Sequence, residues 1–172
     1  MTVLARRQPA RSVSFAAAAE EHLDEVYAYL VYLTRDRSLA EDLAAETFEK
    51  ALKLWRRFDP GRASARTWLC QIARTTALDW FRAEARRQRR EESAARSDRF
   101  EQPFAEGLSP ELEAALASLS AGEREVIALR ILLELDGEEA ARVLGLSPTA
   151  VSTRLSRALK KLEERVGEHV SV

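Results

Sequence analysis

The chain is 172 residues long, 46% hydrophobic and 32% charged, which suits one medium domain or two small ones around a buried core. Six Gly and five Pro are too few for a turn-rich β fold or a low-complexity chain, and one Cys with two distant His excludes a disulfide framework and a Cys/His zinc site. No apolar run approaches the ~20 residues that span a bilayer, and no apolar stretch follows Arg6, Arg7 and Arg11, so the expectation is a cytoplasmic protein with no cleaved signal and no membrane contact of its own.

The net charge of −1 conceals a segregation. Residues 20–59 come to −4, residues 62–90 to +6, residues 101–140 to −8 and residues 141–166 to +4. A solvated surface mixes its signs more evenly. Two basic blocks point to two anion-binding faces, and two acidic blocks to faces that meet something basic or repel nucleic acid.

Every element reads as a helix. Ser14 is placed to cap a helix reaching about Thr34, with Leu23, Val26, Tyr27, Leu30 and Leu33 at steps of three and four. After the polar break Arg35-Asp36-Arg37, Ser38-Leu39-Ala40-Glu41 fits a capping box for a second helix that carries Leu43, Phe48, Leu52 and Trp55 and ends at Asp59-Pro60-Gly61. Ser64 caps a third, with Trp68, Leu69, Ile72, Ala73, Thr76, Trp80 and Phe81, running into Arg82, Arg86, Arg87, Arg89 and Arg90. From about Gln88 to Leu108 the periodicity stops, with only Phe100 and Phe104 as large apolar residues. Ser109-Pro110 opens the next helix, and Ser120-Ala121-Gly122-Glu123 is a further capping box before Val126, Ile127, Leu129, Arg130 and Leu133. Asp136-Gly137-Glu138-Glu139 starts a short helix that Gly145 stops, and Ser147-Pro148 starts the last, which reaches about Arg165. The fold class is therefore all-α: two small helical domains, 14–87 and 109–167, joined by a flexible linker, 88–108. The second is a helix-turn-helix of the winged-helix-like DNA-binding class, without strands.

The helix-turn-helix is the strongest local signal. The last helix turns Val151, Leu155, Ala158 or Leu159, Leu162 and Val166 to one face and Thr149, Ser152, Thr153 and Ser156 to another, with Arg157 and Lys160 beside them. No acid occurs between Glu139 and Glu163. A helix that enters the major groove needs short polar side chains near its start and basic groups for phosphates. The first lobe differs: Trp68, Trp80 and Phe81 are interleaved with Arg62, Arg66, Arg74, Arg82, Arg86 and Arg87, a mixture suited to unpaired bases. At helical spacing Trp68 and Phe81 also suit a core, and Cys70 suits a small core residue better than a redox sensor.

Ala40-Glu41-Asp42-Leu43-Ala44-Ala45-Glu46-Thr47-Phe48, then Thr67-Trp68-Leu69-Cys70-Gln71-Ile72-Ala73-Arg74-Thr75 and Asp79-Trp80-Phe81-Arg82, resembles region two of the bacterial sigma factors. Glu123 to Arg130, Glu138-Glu139-Ala140-Ala141, Leu144-Gly145-Leu146-Ser147 and Val151 to Leu159 resemble region four. With only these two regions, over roughly residues 20–166, the chain resembles the extracytoplasmic-function (ECF) class of RNA polymerase sigma factors. Ala45, Thr75, Pro148-Thr149-Ala150 and Ser152 depart from residues the family commonly uses, and the last removes a phosphate contact.

The resemblance implies an alternative sigma factor that binds core RNA polymerase, directs it to promoters and assists melting by capturing the non-template strand. Asp42, Glu46 and Phe48, with Trp55 further along, match the motif that docks on the β′ clamp helices, and the β flap is the second polymerase contact. The minus-ten element falls to the loop from Asp59 to Ser64, including Arg62, and to Arg74, Thr75, Asp79, Trp80, Arg82, Arg86 and Arg87. The minus-thirty-five duplex falls to Ser147, Thr149, Ser152, Thr153, Arg154, Ser156, Arg157 and Lys160. An anti-sigma partner belongs to the same expectation; a cofactor, a metal site and a catalytic residue do not. A linker of about 20 residues extends to at most roughly 70 Å, and elements about 25 base pairs apart lie roughly 85 Å apart. With the width of the lobes added, both can be read at once.

No phosphate-cradling Gly-rich loop or nucleophile signature is present, so enzymatic activity is not expected. Two other readings stay open: a helix-turn-helix transcriptional regulator acting without being a polymerase subunit, and a helical interaction protein whose basic patches meet an acidic partner.

Overall fold

The computed structural model describes residues 14–90, 103–104 and 107–170; residues 1–13 and most of the linker 88–108 lie outside it. Seven α-helices follow one another among the described residues: α1 (Phe15–Thr34), α2 (Arg37–Leu54), α3 (Ala65–Arg90), α4 (Pro110–Ser118), α5 (Ala121–Ile127), α6 (Gly137–Leu144) and α7 (Pro148–Val170). None of them is long and apolar enough to cross a membrane.

Local chemistry sets most boundaries. Ser14, Ser109, Ser120 and Asp136 are extended and accept a backbone N–H of the first turn behind them, and Ser120 and Asp136 complete reciprocal capping boxes with Glu123 and Glu139. Gly145 closes α6 in the left-handed conformation, φ 65°, as its turn requires.

Three expectations are corrected. The cap of α2 is Asp36, not Ser38: Arg35 closes α1 at φ 52°, which leaves Asp36 extended and its carboxylate on the Leu39 N–H at 3.0 Å. Ser38 then lies inside the first turn. Helix α2 stops at Leu54 rather than at Asp59, and a 3-10 turn over Trp55–Arg57 follows. After α5 the chain widens into a π-helical turn, Ala128–Leu132, in which the Leu133 N–H donates to Ala128 O at 2.9 Å. Helix α3 runs through the arginines to Arg90 as expected, while α7 overruns its expected end near Arg165 and reaches Val170.

Helices α1, α2 and α3 pack on one another around Val26, Tyr29, Leu30, Leu43, Ala51, Leu69 and Ala73, while α4 to α7 enclose Leu116, Val126, Leu129, Leu135, Val151 and Ala158. Each fully buried Leu among these contributes about 2 kcal/mol against exposure. On α7 the apolar face runs through Ala158, fully buried, and Leu159 points outward. The two lobes also touch: α3 packs on α6, α1 meets the π-helical turn, and one buried cluster runs through both. Phe104, a lone apolar residue in the sequence reading, is buried where they meet.

Candidate nucleic-acid interfaces

The capped start of α7 builds the first face. Ser147 accepts the Ala150 N–H at 3.1 Å, which orients the first turn and leaves Thr149, Ser152, Thr153, Ser156, Arg157 and Lys160 exposed. The start of α5 lies alongside, and Ser120, Gly122, Ser147, Thr149, Thr153, Arg154 and Arg157 line an open polar hollow between the two helix starts. The start of α7 and two guanidinium groups favour an anion in this hollow, and the Glu123 carboxylate that also lines it is engaged by Lys161 and Ser120. Gly122 makes room for the hollow: a Cβ there would come within 3.0 Å of Arg154 Nη1. Thr153 turns its hydroxyl back to Thr149 O at 2.9 Å, and Lys160 lies 3.9 Å from Glu164.

The second face lies on α3. Thr75, Asp79, Arg82 and Arg86 recur at steps of four, three and four and are all exposed on one stripe. The Thr75 hydroxyl is returned to Gln71 O at 2.7 Å, and Asp79 pairs with Arg82 at 3.2 Å. Trp80 stands edge-on to Phe81 with ring centroids 5.4 Å apart, half-buried, while Arg87 pairs with Glu84 at 2.7 Å. Arg62 is exposed in the loop before α3, where Asp59 accepts the Gly61 N–H at 2.9 Å.

Arg74 does not share that stripe. It faces the other lobe, and its guanidinium grips Glu125 in a fork, Nε to Oε1 at 2.8 Å and Nη2 to Oε2 at 3.3 Å. The Tyr29 hydroxyl donates to the same Glu125 oxygen at 2.9 Å. Burial, reinforced by the Glu125 charge, pushes the Tyr29 hydroxyl well above the ordinary tyrosine range. Burial opposes the charged form of Arg74, but the hydrogen bond and charge of Glu125 prevail and hold its pKa above the ordinary arginine value. Lower down, Glu139 accepts from Thr67 Oγ1 at 2.9 Å and Ser64 Oγ at 3.1 Å, with Arg66 at 3.8 Å. Gln71 donates to Arg142 O at 2.9 Å. Sequence reasoning missed these crossings because the partners lie 51 to 96 positions apart.

A third face, on α2, is acidic and apolar. Asp42 and Glu46 are exposed one turn apart, and Glu46 holds Lys50 at 2.6 Å. Phe48 lies on the adjoining stripe and, with Leu23, Tyr27, Ala44 and Ala45, lines an apolar groove between α1 and α2 rimmed by Glu20, Asp24 and Glu41. Exposed Leu52 continues the stripe of Phe48. Trp55 is engaged elsewhere, in an aromatic cluster with Phe15 at 5.5 Å, Phe58 at 4.7 Å and Trp68 at 5.6 Å. Cys70 is fully buried, and burial pushes its thiol up to about 12, so it carries no reactive thiolate at neutral pH. No group of three metal-ligating side chains gathers among the described residues.

Comparison with known proteins gives these faces a context. The family model "Sigma-70 region 2" matches residues 18–87, and "Sigma-70, region 4" matches residues 109–162. The chain is 30% identical to the ECF RNA polymerase sigma factor SigX of Bacillus subtilis, covering 89% of this chain and 84% of SigX. It is 34% identical to the RNA polymerase sigma factor YlaC of the same organism, covering 85% and 88%. Among solved structures it is similar to the sigma factor RpoE of Bartonella quintana, determined in complex with the anti-sigma factor NepR, with TM-score 0.76, 26% identity, and 89% and 96% of the two chains covered. It is also similar to CnrH, determined in complex with the cytosolic domain of CnrY, with TM-score 0.66, 26% identity, and 90% and 88% covered.

Proposed function

The chain belongs to the ECF class of RNA polymerase sigma factors and serves alternative-sigma transcription initiation, and from that premise we propose that it joins core RNA polymerase through α2, melts and holds the minus-ten element on α3, and reads the minus-thirty-five duplex with α7.

The chief support is that one chain carries two chemically different nucleic-acid faces. On α7 short hydroxyl side chains lie over a capped helix start, with Arg157 and Lys160 flanking them, which suits base edges and phosphates of a duplex. On α3 the stripe Thr75, Asp79, Arg82 and Arg86 lies beside Trp80 and Phe81, which suits a strand whose bases are unstacked. A regulator that bound only duplex would have no use for the second face. Capturing unstacked bases offsets the few kcal/mol needed to take a base out of the stack. Each contact alone is weak, and a polymerase that holds both lobes raises the effective concentration of each.

The exposed acids Asp42 and Glu46 and the apolar strip of Phe48 and Leu52 suit a basic amphipathic helix pair, the chemistry expected of the clamp helices. The β flap belongs to the same proposal as a partner of the second lobe. An anti-sigma partner belongs to it too, supported by the solved complex of RpoE with the anti-sigma factor NepR.

Run-off transcription with purified core polymerase and a library of promoter fragments tests the reading. New transcripts from a defined pair of upstream elements are expected, lost on changing Arg82 and Trp80 or Arg157. Tight binding to duplex DNA with no polymerase-dependent transcript would favour the regulator instead.

A further inference from the structure

The segment 55–64 joins α2 to α3, and aromatic rings brace it at both ends. At the entry Trp55 stacks on Phe58 with centroids 4.7 Å apart, and the Phe58 N–H donates to Trp55 O at 3.0 Å. One turn into α3, Trp68 closes on both, 5.6 Å from Trp55 and 5.3 Å from Phe58. Phe15, the first residue of α1, meets Trp55 edge-on at 5.5 Å. All four rings are half-buried. Between the two ends the chain is set by turn chemistry. Asp59, Pro60 and Gly61 take the first three places of a β-turn: Asp59 O accepts the Arg62 N–H at 3.0 Å, and the Asp59 carboxylate accepts the Gly61 N–H at 2.9 Å. Ser64 Oγ then accepts the Thr67 N–H at 3.1 Å and starts α3.

This braced segment presents positive charge. Arg56, Arg57 and Arg62 are exposed, and no side-chain partner engages their guanidinium groups among the described residues. Elsewhere on the first lobe Lys50, Lys53, Arg82 and Arg87 each hold a carboxylate of their own helix, at 2.5 to 3.2 Å. Free guanidinium groups on a rigid turn are suited to phosphate oxygens.

We propose that Trp55 is a positioning residue for the minus-ten strand: its ring stack fixes the turn on which Arg56, Arg57 and Arg62 meet the phosphates beside the captured base.

This rests on the reading of the loop and α3 as the single-strand face, and it extends that face to Arg56 and Arg57. It also moves Trp55 out of the polymerase-docking set, since the ring is engaged by Phe15, Phe58 and Trp68. A loose turn loses conformational freedom each time a strand binds, whereas a braced one has already lost it on folding.

The test assembles holoenzyme from core polymerase and the full-length chain in four forms: wild type, Trp55→Ala, Trp55→Phe and the double variant Arg56→Ala/Arg57→Ala. Fluorescence anisotropy reads binding of a fluorescein-labelled random-sequence 12-nucleotide single strand at several salt concentrations, with core polymerase alone as the baseline. The double variant is expected to lower the slope of log K against log salt by about 1.4, two phosphates at about 0.7 each. Trp55→Ala keeps every charge and is expected to bind roughly fivefold more weakly, with Trp55→Phe restoring wild-type binding. All four chains are expected to join core polymerase equally well. A ring that only stabilised the fold would leave strand binding unchanged in chains that keep their helical circular dichroism, and that result overturns the proposal. So does an unchanged slope in the double variant, or a loss of polymerase affinity in Trp55→Ala, which would return the ring to the docking face. If Trp55→Ala loses its helicity, Trp55→Leu, which keeps the bulk without the stacked ring, takes its place. A wild-type chain that fails to join core polymerase would defeat the polymerase-subunit reading instead, and the same titration on the free chain then judges the turn.

Discussion

Lys161 Nζ lies 2.5 Å from Glu123 Oε1, tying the far half of α7 to the first turn of α5. Glu123 Oε2 meanwhile accepts from the Ser120 N–H and Oγ, both at 2.9 Å. The hydrogen bond from Lys161, then the one from the Ser120 backbone, holds the Glu123 carboxyl down at about 2, against an ordinary 4.5. Because its pKa is depressed by folding, its stabilising contribution is complete above pH 4.5 and lost as pH falls through about 2. Glu123→Gln is expected to lower stability at neutral pH by about 1 kcal/mol, the scale of a lost cap. The same substitution flattens the acid limb of a plot of unfolding free energy against pH. An acid limb identical to wild type would mean that the carboxyl carries no such linkage.

Glu134 is the point at which the π-helical turn exits, and it sits at φ 50°. A side chain there costs about 1–2 kcal/mol that glycine avoids, while glycine costs more chain entropy on folding. Glu134→Gly is therefore expected to raise stability by about 0.5–1 kcal/mol, read as an upward shift of the denaturant midpoint at constant m-value. A fall in the midpoint would show that Glu134 makes a compensating contact.

Elements whose signals are local were legible from the sequence. Ser14, Ser109, Ser120, Asp136 and Gly145 act on backbone groups within four residues, so composition at the site decides the structure. Ser38 misled because a capping-box pattern was present but Asp36, two residues earlier, already did the work. The choice between Ala158 and Leu159 could not be made from periodicity, since it depends on what lies opposite α7. The polar face of α7 followed from helical spacing, whereas Thr75 and Asp79 on α3 were reached only through the family resemblance. The engagement of Arg74 by Glu125 and the burial of Phe104 followed from neither, because both arise from one lobe folding onto the other.

If α7 reads the duplex as proposed, phosphate and base contacts should separate by position. Lys160 is exposed three turns from the helix start, whereas Ser152 lies at the end of the first full turn. Lys160→Ala is expected to weaken binding to all duplexes alike and to reduce the slope of log K against log salt by about 0.9. Ser152→Ala should leave that slope unchanged and alter the preference at one base pair by about 1–3 kcal/mol. Gel shifts at several salt concentrations, with a set of single-base variants of the selected site, distinguish the two. If Lys160→Ala changed base preference instead, the helix would enter the groove by a different edge.

Assembly and melting should separate by lobe-one face. Asp42 is exposed and takes no part in the buried core, so Asp42→Arg leaves the fold intact but reverses a charge at the centre of the acidic α2 face. Its affinity for core polymerase is expected to fall at least about tenfold, roughly 1.4 kcal/mol, and transcription with it. Trp80→Ala acts later. Trp80 belongs to α3, the helix proposed to take the unpaired strand, and not to the α2 face proposed to meet polymerase, so polymerase binding should persist. Loss of one base-stacking surface costs about 1–3 kcal/mol. The complex should therefore form on the promoter and fail to open it, which permanganate reactivity of unpaired thymines reads directly. Normal reactivity in Trp80→Ala would remove this ring from the melting step, and normal core binding in Asp42→Arg would move the docking face off α2.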